Sequence, residues 1–210
     1  MALAEPYPLA FLSNILPVAD CTIEPVRFEE MSGAGSGQFW AAEMADPLWR
    51  VSATLSPCLW ALAREINAKM NALGTTQSFH FSDPSYSPAA GDAPGSGVTI
   101  SAIGATRQAI ALAGLPAAYR ITAGDRLSIL RSGAGYYFGE FAETVTANSS
   151  GATAQVAISP ALPLLVATGA AVSMANPVIR LRVPPGGFTP YREIPGGLST
   201  GASFSLVQKR

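Results

Sequence analysis

The sequence predicts a mainly β protein with one α-helix, and three observations support this class. Most apolar residues lie in short runs separated by glycine and proline, of which the chain has 20 and 17. Only one segment shows the apolar spacing of an amphipathic helix. The length of 210 residues suits one large β domain or two small ones.

The first part of the chain predicts three strands, a helix and a fourth strand. The first three strands are predicted at residues 21–28, 38–44 and 50–55, with the SGAGSG segment, residues 32–37, as a hairpin loop. The helix is predicted over residues 57–73, with Ser56 as its cap and Pro57 in its first turn. Its apolar face consists of Leu59, Leu62, Ile66, Met70 and Leu73.

The fourth strand, residues 78–81, ends at Asp83-Pro84 because proline cannot continue a β ladder. Residues 85–97 are rich in proline, glycine and small side chains, which indicates a domain boundary. Beyond it the pattern predicts the strands 98–103, 108–112, 126–130, 136–145 and 152–158, a turn at residues 148–151, and a further short strand at 170–174.

The last strands are predicted at residues 178–183, 189–194 and 202–209, and they are too few to form a third domain. We therefore expect them to return to the sheet of the first domain. This predicts one domain made of residues 1–84 and 178–210, with residues 85–177 inserted as a second β domain.

Composition and charge narrow the function classes. Only 13% of the residues are charged, against about 25% in an ordinary soluble domain, and 49% are hydrophobic. Such a surface favours a protein that partners cover, although an alanine-rich coding bias would give the same composition. The net charge of −1 argues against a protein that grips nucleic acid through its phosphates.

The sequence offers no pattern for a catalytic or metal site. Cys21 and Cys58 are too few for a disulfide framework and have no metal-ligand spacing, so we expect free thiols. His80, the single histidine, lies inside a predicted strand without a nucleophile motif elsewhere. We therefore predict a non-enzymatic protein that needs no cofactor and no metal. The N-terminus lacks signal-peptide features and no apolar run could span a bilayer, so we expect folding in a cytosol.

Two further groups of residues have both a possible functional interpretation and a simpler structural one. The carboxylate pairs Glu29-Glu30 and Glu140 with Glu143 could suggest a glycosidase, but each pair has an odd spacing that directs its members to opposite faces of a strand. Four aromatic residues of the inserted domain could line a sugar- or receptor-binding face, although packing is the favoured interpretation. They are Tyr119, Tyr136, Tyr137 and Phe138.

The order of elements resembles a known family. Residues 49–84, WRVSATLSPCLWALAREINAKMNALGTTQSFHFSDP, resemble the strand, helix, strand and Asp-Pro element of siphophage distal tail proteins and related minor tail proteins. The stretches AGDRLSI, YYFGEFAETVTANSSGATAQVAISPAL and NPVIRLRV resemble the second domain and the return strand of the same proteins. Together these segments cover about half of the chain, and gene transfer agents use similar proteins.

The resemblance implies a structural component of a phage-type tail. It implies a split β-barrel or sandwich belt domain with one helix, and a small inserted β-barrel of OB-like or galectin-like shape. The implied assembly is a homohexameric ring that connects the tail tube protein to the baseplate hub protein and lets DNA pass without specific binding. The location would be the virion tail, assembled in the bacterial host cytoplasm without membrane insertion. A carbohydrate- or receptor-binding β module of a tail tip is the alternative.

Opposite charges at the two ends of the chain suggest how such a ring could close. Residues 1–87 carry nine acidic and four basic side chains, whereas residues 178–210 carry one and five. Ring closure requires one patch of each subunit to meet a different patch of the next. The candidates are Glu29 and Glu30 on one side and Arg180 and Arg182 on the other, and the acidic first part is the expected lining of the channel.

Overall fold

The computed structural model describes residues 5–33, 35–91, 94, 96–131 and 135–210. Within them the chain forms one α-helix, α1 (Trp60–Ala72), two short 3-10 helices, Leu9–Phe11 and Ser13–Ile15, and seventeen strands. In chain order the strands are β1 (Val18–Gly33), β2 (Phe39–Leu55), β3 (Cys58–Leu59), β4 (Phe79–Ser82), β5 (Thr99–Ile103), β6 (Ala109–Ala113), β7 (Arg120–Ile121), β8 (Arg126–Leu130), β9 (Tyr136–Phe141), β10 (Val145–Thr146), β11 (Val156–Ser159), β12 (Val172–Ser173), β13 (Val178–Arg182), β14 (Phe188–Thr189), β15 (Arg192–Ile194), β16 (Leu198–Thr200) and β17 (Ser203–Gln208).

The prediction of a mainly β fold with one helix is confirmed. The largest strands form a main sheet in the order β1-β2-β17-β13-β4, with β14 paired to β17. Strands from both ends of the chain therefore lie in one sheet, as the insertion hypothesis expects. The core of this sheet is fully buried and includes Val51, Phe79, Phe81 and Leu206, against which Ile66 of α1 packs.

A second sheet, which we call the barrel, contains six strands in the order β12-β8-β9-β11-β6-β5. Its two ends meet, because the Ile100 N–H donates to the Ala170 carbonyl at 3.0 Å and the Val172 N–H donates to the Val98 carbonyl at 2.9 Å. The result is a nearly closed, barrel-like sheet. It encloses its own core, in which Leu112 is fully buried. Independent folding of residues 85–177 stays a prediction.

One residue pair joins the main sheet to the barrel. Trp49 of β2 is 2% exposed and packs edge to face on Phe138 of β9, with 5.4 Å between the ring centroids. The indole N–H of Trp49 also donates to the Phe138 carbonyl at 3.0 Å. Phe138 thus belongs by sequence to the barrel and by packing to the core of the main sheet.

The predicted helix start is wrong by three residues. The helix was expected over residues 57–73 with Ser56 as the cap, but α1 begins at Trp60 and no side chain caps it. Cys58 and Leu59 instead pair with β16, and the Trp60 N–H donates to the Gly197 carbonyl at 3.1 Å. This tertiary pairing outweighs the local helix signal. No helix among the described residues is long and apolar enough to cross a membrane.

The second and third predicted strands are one strand. Residues 38–44 and 50–55 were expected as separate elements, yet β2 continues through Pro47. Its register against β1 shifts between the pairs Val26↔Leu48 and Phe28↔Ala45, so β2 has an extra residue there. A bulge is one of the few places in a sheet that accept proline, because the ladder hydrogen bond is already interrupted.

Smaller differences concern strand ends in the barrel and near the C-terminus. The strand expected at 136–145 ends at Phe141, the strand expected at 152–158 begins at Val156, and the one expected at 189–194 divides into β14 and β15. The short strands β7 and β10, which pair with each other, were not predicted. The turn expected at 148–151 is present, and the Asn148 side-chain oxygen accepts from the Ser150 and Ala152 N–H groups.

Gly151, the last residue of that turn, is expected to tolerate no side chain. Its φ is +76°, and a Cβ there would lie 2.1 Å from the Leu115 carbonyl oxygen. We expect Gly151→Ala to lower the free energy of unfolding by about 1–3 kcal/mol, measured by urea denaturation. Gly124→Ala is the matched control, because its φ is +92° and nothing lies within 4 Å of the new Cβ. Equal losses for the two variants would contradict the role of the close contact.

Candidate assembly surface

The free half of the β1–β2 hairpin forms an arm, defined here as residues 27–33 and 39–46. Every residue of these two segments is exposed. At about 3.3 Å per residue the arm extends roughly 25 Å from the main sheet. Its large apolar side chains are exposed as well: Phe28 (40%), Met31 (67%), Phe39 (72%), Trp40 (71%) and Met44 (67%). Exposed apolar clusters of this kind mark surfaces that a partner covers.

Apolar residues lie on both faces of the arm. Cross-strand partners share a face, and Met31 is opposite Ala41 while Ser32 is opposite Trp40. Because successive residues of a strand alternate between faces, Met31 and Trp40 point to opposite sides. A hairpin with two apolar faces cannot cover both by folding back on its own sheet. It is suited to lie between other parts of an assembly.

The charges of the hairpin are mainly acidic. Strands β1 and β2 together carry six carboxylates and two arginines. Glu29 lies directly opposite Glu43, a like-charged pair that disfavours the free hairpin. Arg27 lies 3.4 Å from Glu29 as a partial compensation. These groups line a groove of about 420 Å³ between the arm and the barrel residues Gln108 and Ser159.

Among the described strands, β1 forms an open edge of the main sheet. In the part of the chain that the structure describes, β1 pairs only with β2. The other side of β2 pairs with β17 from Arg50 to Thr54, and no described strand pairs with it between Phe39 and Trp49. Open edges of this length present unpaired N–H and C=O groups that can bind a further strand.

The opposite edge of the main sheet is closed by the N-terminal segment, residues 5–16. The Tyr7 N–H donates to the Ser78 carbonyl and the His80 N–H donates to the Tyr7 carbonyl, both at 2.9 Å. Glu5 fixes the segment, because its Oε1 accepts from Lys209 at 2.7 Å and from the Ser78 hydroxyl at 3.0 Å. The N-terminal segment thus protects this edge, whereas no described strand covers the outer side of β1.

This closure is expected to depend on pH. The hydrogen bond from Lys209, followed by that from Ser78, lowers the pKa of Glu5 from its ordinary 4.5. The stabilisation is therefore complete above about pH 4.5 and is lost as the pH falls through the lower folded-state pKa. We expect the Tyr7 and His80 amides of Glu5→Gln to have, at neutral pH, protection factors as low as those of the wild type at low pH. Unchanged protection in the variant would contradict the role of Glu5.

One face of the main sheet is rich in hydroxyl groups. Thr22, Ser52 and Ser205 lie side by side on β1, β2 and β17, and Asp20, Thr54 and Ser203 form the next row. These six residues line a shallow groove of about 310 Å³. The rows carry a single carboxylate and no cation, so this face is hydrophilic but offers nothing that would bind a phosphate tightly.

The structure places the four predicted interface residues in two different regions. Glu29 and Glu30 lie on the arm, on opposite faces. Arg180 of β13 is held within its own subunit, since its Nε donates to the Ser78 hydroxyl at 2.8 Å and its guanidinium lies 3.4 Å from Glu5. Arg182 is exposed. Pairing of the arm carboxylates with these arginines across a ring stays a prediction.

The apolar residues of the arm, not the charges, are what the sequence interpretation missed. The available signal was the run Phe39-Trp40, which has large apolar side chains on consecutive residues of a predicted strand. In an ordinary half-buried strand one face is polar. Consecutive aromatics next to a glycine-rich hairpin loop therefore indicate a strand with apolar side chains on both faces.

The aromatic residues considered for ligand binding are packed inside. Tyr119, Tyr137 and Phe138 are 9%, 4% and 2% exposed. Tyr136 is half-buried and packs edge to face on His80, with 4.9 Å between the ring centroids. His80 thus lies at the contact between the main sheet and the barrel. Burial raises the pKa of the Cys21 thiol to about 12. The thiol therefore stays protonated at neutral pH, and a protonated thiol is a poor nucleophile and metal ligand.

Comparison with protein-family models and with curated proteins finds no match for the chain. Among the described residues, no group of three or more His, Cys, Asp or Glu side chains is placed to hold a metal ion. Function is therefore inferred from the arm, the open edge and the order of elements.

Proposed function

We propose that this chain is a structural ring component of a phage-type tail. In this proposal six copies form a ring that joins the tail tube to the baseplate hub and leaves a channel for DNA. The arm is the observation that carries the proposal. A two-stranded hairpin that extends beyond its sheet, with apolar side chains on both faces, has a physical reason to exist only in an assembly.

The charge distribution supports a conduit. A channel that conducts DNA must not hold the phosphates, so its lining should be acidic or neutral and hydrophilic. The hairpin, with six carboxylates and two arginines, has this character. The hydroxyl-rich face of the main sheet continues the same surface. We propose that the outward face of β1, β2 and β17 is the one that DNA passes.

The order of elements supports the choice of tail component. The chain combines a sheet built from both ends of the sequence, one helix and an inserted barrel-like sheet. That is the arrangement which the resemblance to distal tail proteins implies. The buried aromatics of the barrel give no support to a sugar- or receptor-binding face there, because such a site needs exposed rings. The exposed rings of Phe39 and Trp40 lie on the arm and not on the barrel.

The oligomeric state of the full-length chain tests the proposal. We expect native mass spectrometry to show a species of six copies, each of 21.7 kDa. We also expect the hexamer to pass through an immobilised duplex DNA column at physiological salt without retention. A chain that stays monomeric at every concentration and in assembled particles would contradict the proposal. Salt-sensitive retention of the protein on the DNA column would also contradict it.

A further inference from the structure

The open edge of β1 and the free edge of β2 are complementary features of one chain. The inward face of β1 includes Ile23, which is half-buried and packs on the core of the main sheet. No described strand lies beside β1 on the side away from β2. The arm segment of β2, residues 39–46, has a free edge of eight residues and carries Phe39, Trp40 and Met44.

Hydrogen-bond alternation shows which groups of β1 face the open edge. The Leu55 N–H donates to the Ala202 carbonyl, so in β2 the N–H groups of odd-numbered residues near Leu55 point away from β1. The N–H groups of the even-numbered residues Ser52 and Arg50 therefore point to β1. Ser52 exchanges backbone hydrogen bonds with Thr22, and Arg50 exchanges them with Glu24. It follows that the Ile23 N–H points to the open edge.

Proline in β1 agrees with this assignment. Pro25, two residues after Ile23, would by alternation direct its nitrogen to the same edge, where a missing N–H leaves the pairing with β2 intact. Beyond it, alternation along β1 directs the N–H groups of Arg27 and Glu29 to the open edge as well.

We propose that the open edge of β1 accepts the arm of a second copy of this chain, whose β2 segment adds to it as an antiparallel strand. This inference rests on the proposed ring and names the contact that builds it. The arm of one subunit extends the main sheet of the next, and the two patches of the contact are different. Such a heterologous contact propagates from copy to copy and closes when the rotation permits.

Both observed surfaces favour this occupant. Strand addition satisfies the unpaired backbone groups of the two free edges together. The apolar side chains of the arm then lie beside β1 residues on both faces, such as Ile23 and Val26. Both surfaces are also acidic, with Asp20 and Glu24 on the part of β1 outside the arm, and Glu29, Glu30, Glu43 and Asp46 on the arm. Salt screens this repulsion, so we expect the association to strengthen as ionic strength rises.

Two blocked variants separate the donor from the acceptor. In the first, Ile23→Pro removes an open-edge N–H while its arm stays complete, and Ile23→Ala is the control that loses similar volume but keeps the N–H. In the second, an Asn-Gly turn replaces residues 27–47, so the arm is absent while the β1 edge at Ile23 stays complete. Each blocked variant alone is expected to be a monomer, whereas Ile23→Ala assembles.

Mixing the two blocked variants gives the decisive result. Only one arm and one complete edge are then available, so we expect a one-to-one dimer and nothing larger by sedimentation velocity. Cys21→Pro, with Cys21→Ala as its control, replaces the first variant if Ile23→Pro does not fold, because alternation directs the Cys21 N–H to the same edge and residue 21 lies outside the arm. Monomers in the mixture, or assembly by the proline variant equal to that of its alanine control, would overturn the inference. A hexamer that forms by another contact would leave the proposed function standing.

Discussion

Replacing residues 27–47 with an Asn-Gly turn is expected to abolish assembly while the subunit stays folded. Val26 and Leu48 are directly paired, so a two-residue turn can join them without a change of register. The deleted residues contribute little to the core, since the arm is exposed throughout. Their contacts with the rest of the subunit include the exposed ion pair of Asp46 with Arg210, worth about 0–1 kcal/mol, and a hydrogen bond from Arg210 to the Pro47 carbonyl.

The size of the effect on assembly follows from the apolar area. Full burial of a large apolar side chain contributes about 1.5–3 kcal/mol, and the arm exposes five of them. The loss of all five would remove most of the affinity that is left after the cost of association. Sedimentation velocity measures the assembly and thermal unfolding measures the fold. A shortened variant that still forms hexamers would show that the arm is not the assembly element.

A second large effect is expected at the junction between the main sheet and the barrel. Trp49→Ala removes a 2% exposed indole, its edge-to-face contact with Phe138 and its hydrogen bond to the Phe138 carbonyl. We expect the free energy of unfolding to fall by about 3–5 kcal/mol. Urea denaturation followed by circular dichroism measures the change.

Trp40→Ala is the matched control for this substitution. Trp40 is 71% exposed on the arm, so the same chemical change should alter the stability of the isolated subunit by less than about 0.5 kcal/mol. It should instead weaken assembly. If Trp40→Ala destabilised the monomer as much as Trp49→Ala, the description of the arm as free of the core would be wrong.

The same junction bears on the predicted domain division. Joining residue 84 to residue 178 through a short Gly-Ser linker removes Phe138 and so exposes Trp49. The main sheet keeps all of its own strands in this variant, because β4, β13 and β17 lie outside the deleted range. The shortened protein should therefore fold, with a stability reduced by the lost contact.

Sequence patterns predicted the elements whose signals are local. The mainly β class and the existence of the helix follow from periodicity and turn residues. The return of the terminal strands was predicted for a different reason, because they are too few to form a domain of their own. In β17 the alternating burial of Phe204 and Leu206 matches the period-two pattern of the sequence. Where one face of a strand is buried, sequence and structure agree.

The differences arise where another part of the chain decides the conformation. The first residues of the expected helix pair with β16, more than 100 positions away, and no local pattern at Ser56 reports that partner. Pro47 is tolerated in β2 because a bulge coincides with it. Arg180 contacts Glu5 within its own subunit, and no local pattern reports this contact because the two are 175 positions apart in the chain. Such contacts depend on the tertiary fold.

The arm was the hardest feature to predict. Strand patterns indicate which face is buried within one subunit, and the arm has no buried face there. Its length was underestimated for the same reason, since the predicted strand 21–28 stopped where the alternation of apolar residues ends. The arm carries large apolar residues that are exposed in the single subunit, whereas sequence patterns assign such residues to a core.

Electron microscopy of assembled particles tests the central claim most directly. The proposed function predicts that this chain forms a sixfold ring around an open channel at the distal end of the tail tube, with each arm in contact with the next subunit. A single copy at the tip of a fibre, or a position away from any channel, would contradict the proposed function even though the β fold would remain.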